Sequence, residues 1–271
     1  MWLYRGFDFS SLRAFFSQST NYVFIVMVLA VGIMANVLRS LRWRMLLQSA
    51  HIEITLRLGE LTRSLLVRSG DAKVSTRALG TVVIEKLADV AFLVIVIGLA
   101  VSLRWNNTVS LVQRMTEGLT CAVPRYTFYI VVGSVVCLLV GISFPLRKHV
   151  KRFVHNLWQG VSAIARLKSP LSFASLCIGI WMCNFLQLYL LVPCFGGLSH
   201  VGLADTLHVF AAVSVGVLLP TPAGAGPWHF AIVKTLTGVY GVERAVAQSF
   251  ALITHGLKTI LVMLLGVLGY I

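Results

Sequence analysis

Residues 219–240 read LPTPAGAGPWHFAIVKTLTGVY. Pro220, Pro222 and Pro227 fall within a few positions of Gly224 and Gly226. Proline lacks the amide hydrogen and clashes with the preceding helical turn, so no regular helix runs through this stretch. Glycine permits positive φ and close backbone approach. Both flanks are apolar: a span over Leu203–Leu219 comes before, and a short helical piece, Trp228–Tyr240, follows. Non-helical backbone at bilayer depth is tolerated only where it packs in protein or lines a wet cavity. The stretch therefore predicts a broken or re-entrant helix, with Pro227 suited to the first turn of the second piece. A plain extramembrane turn between two spans is the competing reading.

Composition agrees with a membrane setting. The chain has 271 residues, 58% of them hydrophobic and 12% charged, with a mean hydropathy of +0.86. Soluble domains are about 45–50% apolar and about 25% charged. A soluble enzyme, a disordered tail and a coiled coil are excluded, leaving an all-α, polytopic transmembrane helix bundle, read as one integral membrane domain over 1–271. Lys and Arg number 23 against 9 Asp and Glu. These basic residues lie between apolar runs, so they read as the positive-inside bias and not as a nucleic-acid surface. Five cysteines without a CxxC pair give no disulfide framework, and no metal or cofactor site is expected.

The spans predicted are Tyr22–Leu38, Ala78–Leu103, Thr127–Leu146, Leu171–Phe195, Leu203–Leu219 and Ala245–Ile271. The opening Trp2-Leu3-Tyr4-Arg5-Gly6 reads as the tail of a further membrane segment. Arg39, Arg42 and Arg44 close the first span and begin a basic stretch, 39–77. A second basic connection, 147–168, holds six Lys and Arg and no acid, with a candidate interfacial helix over 150–168. These two stretches are expected on the cytoplasmic side, and the loops 104–126 and 196–202 outside.

The chain also resembles itself. Met34-Ala35-Asn36-Val37-Leu38 matches Met182-Cys183-Asn184-Phe185-Leu186 at an offset of 148 residues. Gly59 and Ala78 match Gly226 and Ala245 at an offset of 167. Two related halves follow, about 22–103 and 171–271, with the first shorter by 19 residues (167 against 148). Two-fold repeats with interrupted helices are a transporter signature.

Ionisable groups within apolar spans are costly and are paired or functional. In the first half Glu60 and Arg63 share a helix face, as do Glu85 and Asp89, with Lys86 beside them. They form either an inward salt-bridge cluster locking the halves together or a site where Arg63 or Arg42 meets a lipid phosphate. In the second half Trp228, His229, Lys234, His255 and Lys258 line the region after the Pro/Gly break. With the exposed amides of the helix start they suit an anionic head; His229 as a merely packed histidine is the alternative. Asp205 and His208, three apart, are weak evidence for a metal.

Four pieces occur in order: Leu41-Arg42-Trp43-Arg44-Met45-Leu46-Leu47, Arg57-Leu58-Gly59-Glu60-Leu61-Thr62-Arg63, Ala78–Asp89, and Leu219–Gly226. Together they resemble the lysylphosphatidylglycerol synthase transmembrane region, or flippase-like domain family, over about 30–271. The resemblance implies an integral membrane domain that moves or handles lipids. The sequence departs from the pattern in three respects. No aminoacyl-transferase sequence is present, so lysyl transfer is not expected. The helix and Pro-containing turn that normally precede Arg57–Glu60 are missing. His229 stands where the second motif often carries Glu.

The expected function is binding and translocation of an anionic or headgroup-modified lipid across the cytoplasmic (inner) membrane. The expected partners are anionic phospholipid or a polyprenyl-linked lipid, no nucleic acid, and a second copy of the chain as an open option. No nucleophile motif, P-loop or dinucleotide fingerprint occurs, so an enzyme is not expected. The alternative is a membrane-embedded transferase acting on a polyprenyl-phosphate or phospholipid, with Glu60, Glu85 or Asp89 as base. A scaffold without substrate is a third class.

Overall fold

The structure, a computed structural model, describes residues 9–49, 72–122, 169–217 and 225–268. Among the described residues there are eight α-helices and no strands: α1 (Ser10–Ser17), α2 (Ser19–Ser49), α3 (Ala72–Leu103), α4 (Trp105–Ala122), α5 (Pro170–Tyr189), α6 (Leu203–Val217), α7 (Ala225–Val239) and α8 (Arg244–Leu268). Two short 3-10 turns, Val192–Cys194 and Gly196–Leu198, join α5 to α6. Asn21–Ser49, Ile84–Leu103, Pro170–Cys194 and Arg244–Val267 are long and apolar enough to cross a bilayer. The protein is an all-α, multi-pass helix bundle. The expected span Thr127–Leu146, the basic connection 147–168 with its candidate interfacial helix, and residues 50–71 lie outside the described residues.

Two expectations need correction. The first span does not end at Arg39–Arg44: α2 continues to Ser49. Arg42 is buried inside it, which is possible because two carboxylates on α3 meet its guanidinium. Within the loop expected over 104–126, Trp105–Ala122 is instead the helix α4. Trp105, Val109 and Val112 leave an apolar face of α4 exposed while Leu111 is buried. That spacing suits a helix lying in the membrane interface.

Helices α2 and α5 form the most extensive pairing and run antiparallel. Gly32 lies against Gln187, Leu38 against Gly179, Arg42 against Cys177, and Leu46 close to Phe173. Continuing this register places Ala35 opposite Cys183. The two copies of the 148-offset motif, Met34–Leu38 and Met182–Leu186, therefore meet at the crossing point. Within it Asn36 and Asn184 use their side chains alike, each donating Nδ2 to the carbonyl four residues back, on Gly32 and Ile180.

Helices α6 and α7 have 15 residues each. At 1.5 Å per residue each extends about 22 Å, short of the roughly 30 Å hydrocarbon core. They also run antiparallel. His208 meets Tyr240 at one end, and Gly216 abuts Pro227 at the other, where a Cβ would stand 3.1 Å from the Pro227 carbonyl oxygen. The pair is a re-entrant hairpin that enters and leaves on one side. The Pro/Gly stretch between its legs, with Pro220, Pro222 and Gly224, lies outside the described residues. Gly226, in the first turn of α7, is exposed. Gly241, at φ 64°, turns the chain from α7 into α8, and the Val242 amide donates to the Leu236 carbonyl.

Aromatic side chains seat the hairpin. Phe92 of α3 stacks on Trp181 of α5 at 6.5 Å, and Phe210 of α6 packs edge-on against Trp181 at 5.9 Å and Phe185 at 5.7 Å. Rings at this spacing add attraction beyond the area they bury. The main apolar core lies around both hairpin legs and the 3-10 turns, with Leu198, Val213, Ile232 and Phe250 fully buried. A small cavity bordered by Leu188, Val209, Leu236 and Phe250 belongs to this core and is lined almost wholly by apolar groups.

Candidate functional site

Three polar clusters interrupt the apolar bundle. The first is centred on Arg42. Its Nη1 donates to Asp89 Oδ1 at 2.8 Å and its Nη2 to Glu85 Oε1 at 3.0 Å. Glu85 and Asp89 are one helical turn apart on α3, so a single forked guanidinium spans both. Cys177 Sγ of α5 lies 3.5 Å from Nη1. Arg42 and Glu85 are almost wholly buried, whereas the Asp89 side chain keeps 31% exposure. Both described carboxylates of the expected cluster therefore pair with an arginine across the α2–α3 contact. Arg42 takes the central place in it; Glu60 and Arg63 lie outside the described residues. Lys86 points outward and is exposed.

The second cluster lies where the start of α7 meets α8, α5 and α2. Trp228 and His229 occupy the first turn and a half of α7. The His229 and His255 rings lie 4.9 Å apart and the Trp228 and His255 rings 5.8 Å apart. Lys258 Nζ sits 5.3 Å over the Trp228 ring, a cation–π distance, and 3.4 Å from Asn184 Oδ1. Arg39 of α2 lies within range for its charge to act on Lys258. Trp228 is 9% exposed, and its indole N–H has no hydrogen-bond acceptor among the described residues. Lys258 is 14 residues into the 24-residue span Arg244–Val267, about 21 Å along the helix and so near mid-membrane. Among the described residues no carboxylate pairs with Lys258 or Arg39. Lys234, expected here, is exposed on α7, with its ammonium 6.0 Å from the Phe230 ring. It does not join Lys258.

The third cluster closes the hairpin at its entry side. Arg104, between α3 and α4, places Nε 2.8 Å and Nη2 3.2 Å from the Asp205 carboxylate. Asp205 also accepts from the Gly202 amide at 3.1 Å. His208 Nδ1 and the Tyr240 hydroxyl share a hydrogen bond of 2.9 Å, and Asn107 and Asp205 lie within hydrogen-bonding reach of the same hydroxyl. The His200 Nε2 and the Tyr240 carbonyl are 3.0 Å apart. Burial pulls the His208 imidazole below its ordinary pKa, with Asp205 opposing. Burial pushes the Tyr240 phenol up to about 12. The Asp205–His208 spacing thus serves hydrogen bonding; among the described residues no group of three or more His, Cys, Asp or Glu could hold a metal ion. Because Arg104 and Asp205 pair, the chain ends after α3 and before α6 lie on one side of the bundle.

Arg39, Asn184, Arg104 and Tyr240 take part in these clusters without having been singled out as site residues. Asn184 carried a signal, since it belongs to the repeated motif. Arg39 was masked by its place in a basic run that reads as loop.

The fold and clusters define a class: a multi-pass membrane protein in which polar side chains gather where the start of α7 meets α8 and α5. The family model described as the lysylphosphatidylglycerol synthase TM region matches residues 56–266, and the chain belongs to that family. No curated protein and no solved structure matches it.

Proposed function

We propose that the protein binds the headgroup of a membrane lipid at the inner end of the α6–α7 hairpin and carries it between the leaflets of the cytoplasmic membrane. The observation behind this reading is the second cluster, where Trp228, His229, His255 and Lys258 converge near mid-membrane at the start of a helix. A helix start offers free amide donors and positive potential. Cations at this depth need a partner, and a headgroup phosphate supplies one while the acyl chains stay in lipid. Antiparallel packing of α2 on α5 gives two halves that can rock about their crossing.

The reading assigns no chemical step. Glu85 and Asp89, the described carboxylates a transferase would use as base, are both engaged by Arg42. The test is reconstitution of the full chain into vesicles carrying a headgroup-labelled phospholipid in the inner leaflet. Time-dependent exposure of the label, lost on Lys258→Gln, is the expected result. Label that stays inside, with lipid bound only at the periphery, refutes translocation.

A further inference from the structure

Two imidazoles stand beside the Lys258 ammonium, and binding of a headgroup alone gives them no task. His255 lies one helical turn before Lys258 on α8. Both reach the Trp228 ring of α7, His255 with its ring 5.8 Å away and Lys258 with Nζ 5.3 Å from the centroid. The His229 ring of α7 completes the group, 4.9 Å from His255 at an angle of 59°. Thr259 Oγ1 lies 3.5 Å from His255 Nδ1, and Asn184 of α5 brings its amide oxygen to Lys258. Arg39 of α2 acts on Lys258 through its charge, and Lys234 of α7 is exposed against the Phe230 ring. The side chains of His229, His255 and Lys258 are half-buried, not sealed.

Imidazole is the side chain whose charge changes near neutral pH. A proton on this pair adds positive charge beside an ammonium and the positive end of α7, and at low dielectric that repulsion is strong. A phosphate seated there turns the repulsion into attraction. Proton uptake and anion binding are then linked, and by reciprocity each strengthens the other. One proton suits the pair, because two charged rings 4.9 Å apart would also repel each other.

We infer that a proton is the co-substrate of the lipid: the His229–His255 pair takes up one proton as the headgroup phosphate seats beside Lys258, and both leave together on the other side of the membrane. This rests on the headgroup-binding reading above and specifies how that site is coupled. The proton comes from water on the loading side and returns to water on the release side, and no bond in the lipid changes. A phosphodiester head carries one negative charge, so lipid and proton cross with no net charge. The movement therefore responds to a pH difference and not to a membrane potential.

The test uses the full chain in phosphatidylcholine vesicles with headgroup-labelled phosphatidylglycerol in the inner leaflet. The phosphodiester of this probe stays singly charged across the range from about pH 8 to pH 6, which brackets the ordinary imidazole pKa. Lipid retained by the purified protein should rise several-fold from pH 8 to pH 6. Vesicles acidic inside should expose the label several-fold faster than vesicles acidic outside, and a potassium diffusion potential of either sign should leave the rate unchanged. His229→Gln and His255→Gln should each flatten the pH dependence while phosphatidylglycerol is still retained at pH 8, and His208→Gln should leave it intact. Retention and exposure that ignore pH in the wild type overturn the coupling and leave headgroup binding standing. So does exposure driven by the potential, because the lipid then crosses as a bare anion. Phosphatidylglycerol that is retained at neither pH overturns headgroup binding itself, and the coupling with it. If a Gln variant unfolds, the wild-type responses to pH difference and to potential decide the matter alone.

Discussion

The clusters around Arg42 and around Lys258 lie in one bundle and are opposites. The first is charge-compensated: one guanidinium meets two carboxylates, at 2.8 and 3.0 Å, and only its Nε is left without an acceptor among the described residues. The second gathers Lys258, Arg39 and two imidazoles with no described carboxylate among them. Burying charge is unfavourable in both, but only in the first does the protein itself offset the penalty. A charge-compensated cluster holds helices together; one without a described counter-charge, at the end of a re-entrant hairpin, has positive charge to offer to something else. The sharpest way to break this contrast is to remove one charge from each cluster and compare the signs.

Arg42→Leu takes the guanidinium away from Glu85 and Asp89 on α3 and puts an apolar side chain in its place. Removing one partner of a buried ion pair costs about 3–5 kcal/mol, the largest effect expected of any single change discussed here. Thermal unfolding of the detergent-solubilised full chain should show it as a large drop in Tm. Arg42→Leu combined with Glu85→Gln and Asp89→Asn should recover part of the loss. An unchanged Tm for the single variant would mean the cluster is no lock.

Lys258→Met should do the reverse. Taking a cation without a described counter-charge out of a membrane helix removes a desolvation penalty, so the lipid-free protein should gain about 1–2 kcal/mol. Headgroup binding should fall at the same time. A loss of stability comparable to that of Arg42→Leu would show that Lys258 is structurally paired and would erase the distinction between the clusters.

How far this contrast was legible beforehand follows from what each cluster depends on. Apolar runs with too few charges for a soluble surface gave the helix bundle, and clustered prolines between apolar flanks gave the re-entrant hairpin, because both rest on local backbone chemistry. The membership of the clusters does not. Sequence spacing shows that Glu85 and Asp89 share a face but not which arginine reaches them. Arg42 does so because antiparallel packing brings α2, α3 and α5 together, a long-range arrangement. Reading Arg39–Arg44 as the end of a span used a sound rule, that charge marks the membrane boundary. The rule fails here because Arg42 takes its counter-charges with it into the bundle. The helix α4 was missed for a related reason: its polar residues read as loop, while Trp105, Val109 and Val112 are apolar at helical spacing.

The entry-side network supplies an intermediate case. Arg104 and Asp205 pair closely, but the Arg104 side chain is 41% exposed. Water therefore screens the pair, and exposed pairs contribute about 0–1 kcal/mol. Arg104→Gln should lower stability by less than about 1 kcal/mol, because Asp205 keeps the Gly202 amide. A loss as large as that of Arg42→Leu would place this cluster among the buried, charge-compensated ones.

The smallest and most specific effect concerns pH at the same end of the hairpin. Burial holds the folded-state phenol of Tyr240 near 12, above its ordinary value of 10.0. A raised acid binds its proton more tightly in the folded state. Its contribution to stability is therefore complete below pH 10 and is lost as pH rises from 10 towards 12. His208 is shifted the other way, below 6.5. As pH falls through 6.5 the unfolded chain takes up the proton before the folded one does, so stability declines there until the folded imidazole protonates too. Tyr240→Phe should flatten the alkaline decline, and His208→Gln the decline below pH 6.5, each measured by unfolding across pH. Both groups belong to the hydrogen bond that closes the hairpin, far from Lys258, so neither substitution should change which lipid is retained. A change in lipid selectivity from either would tie the entry-side network to the headgroup site and merge two clusters that the geometry keeps apart.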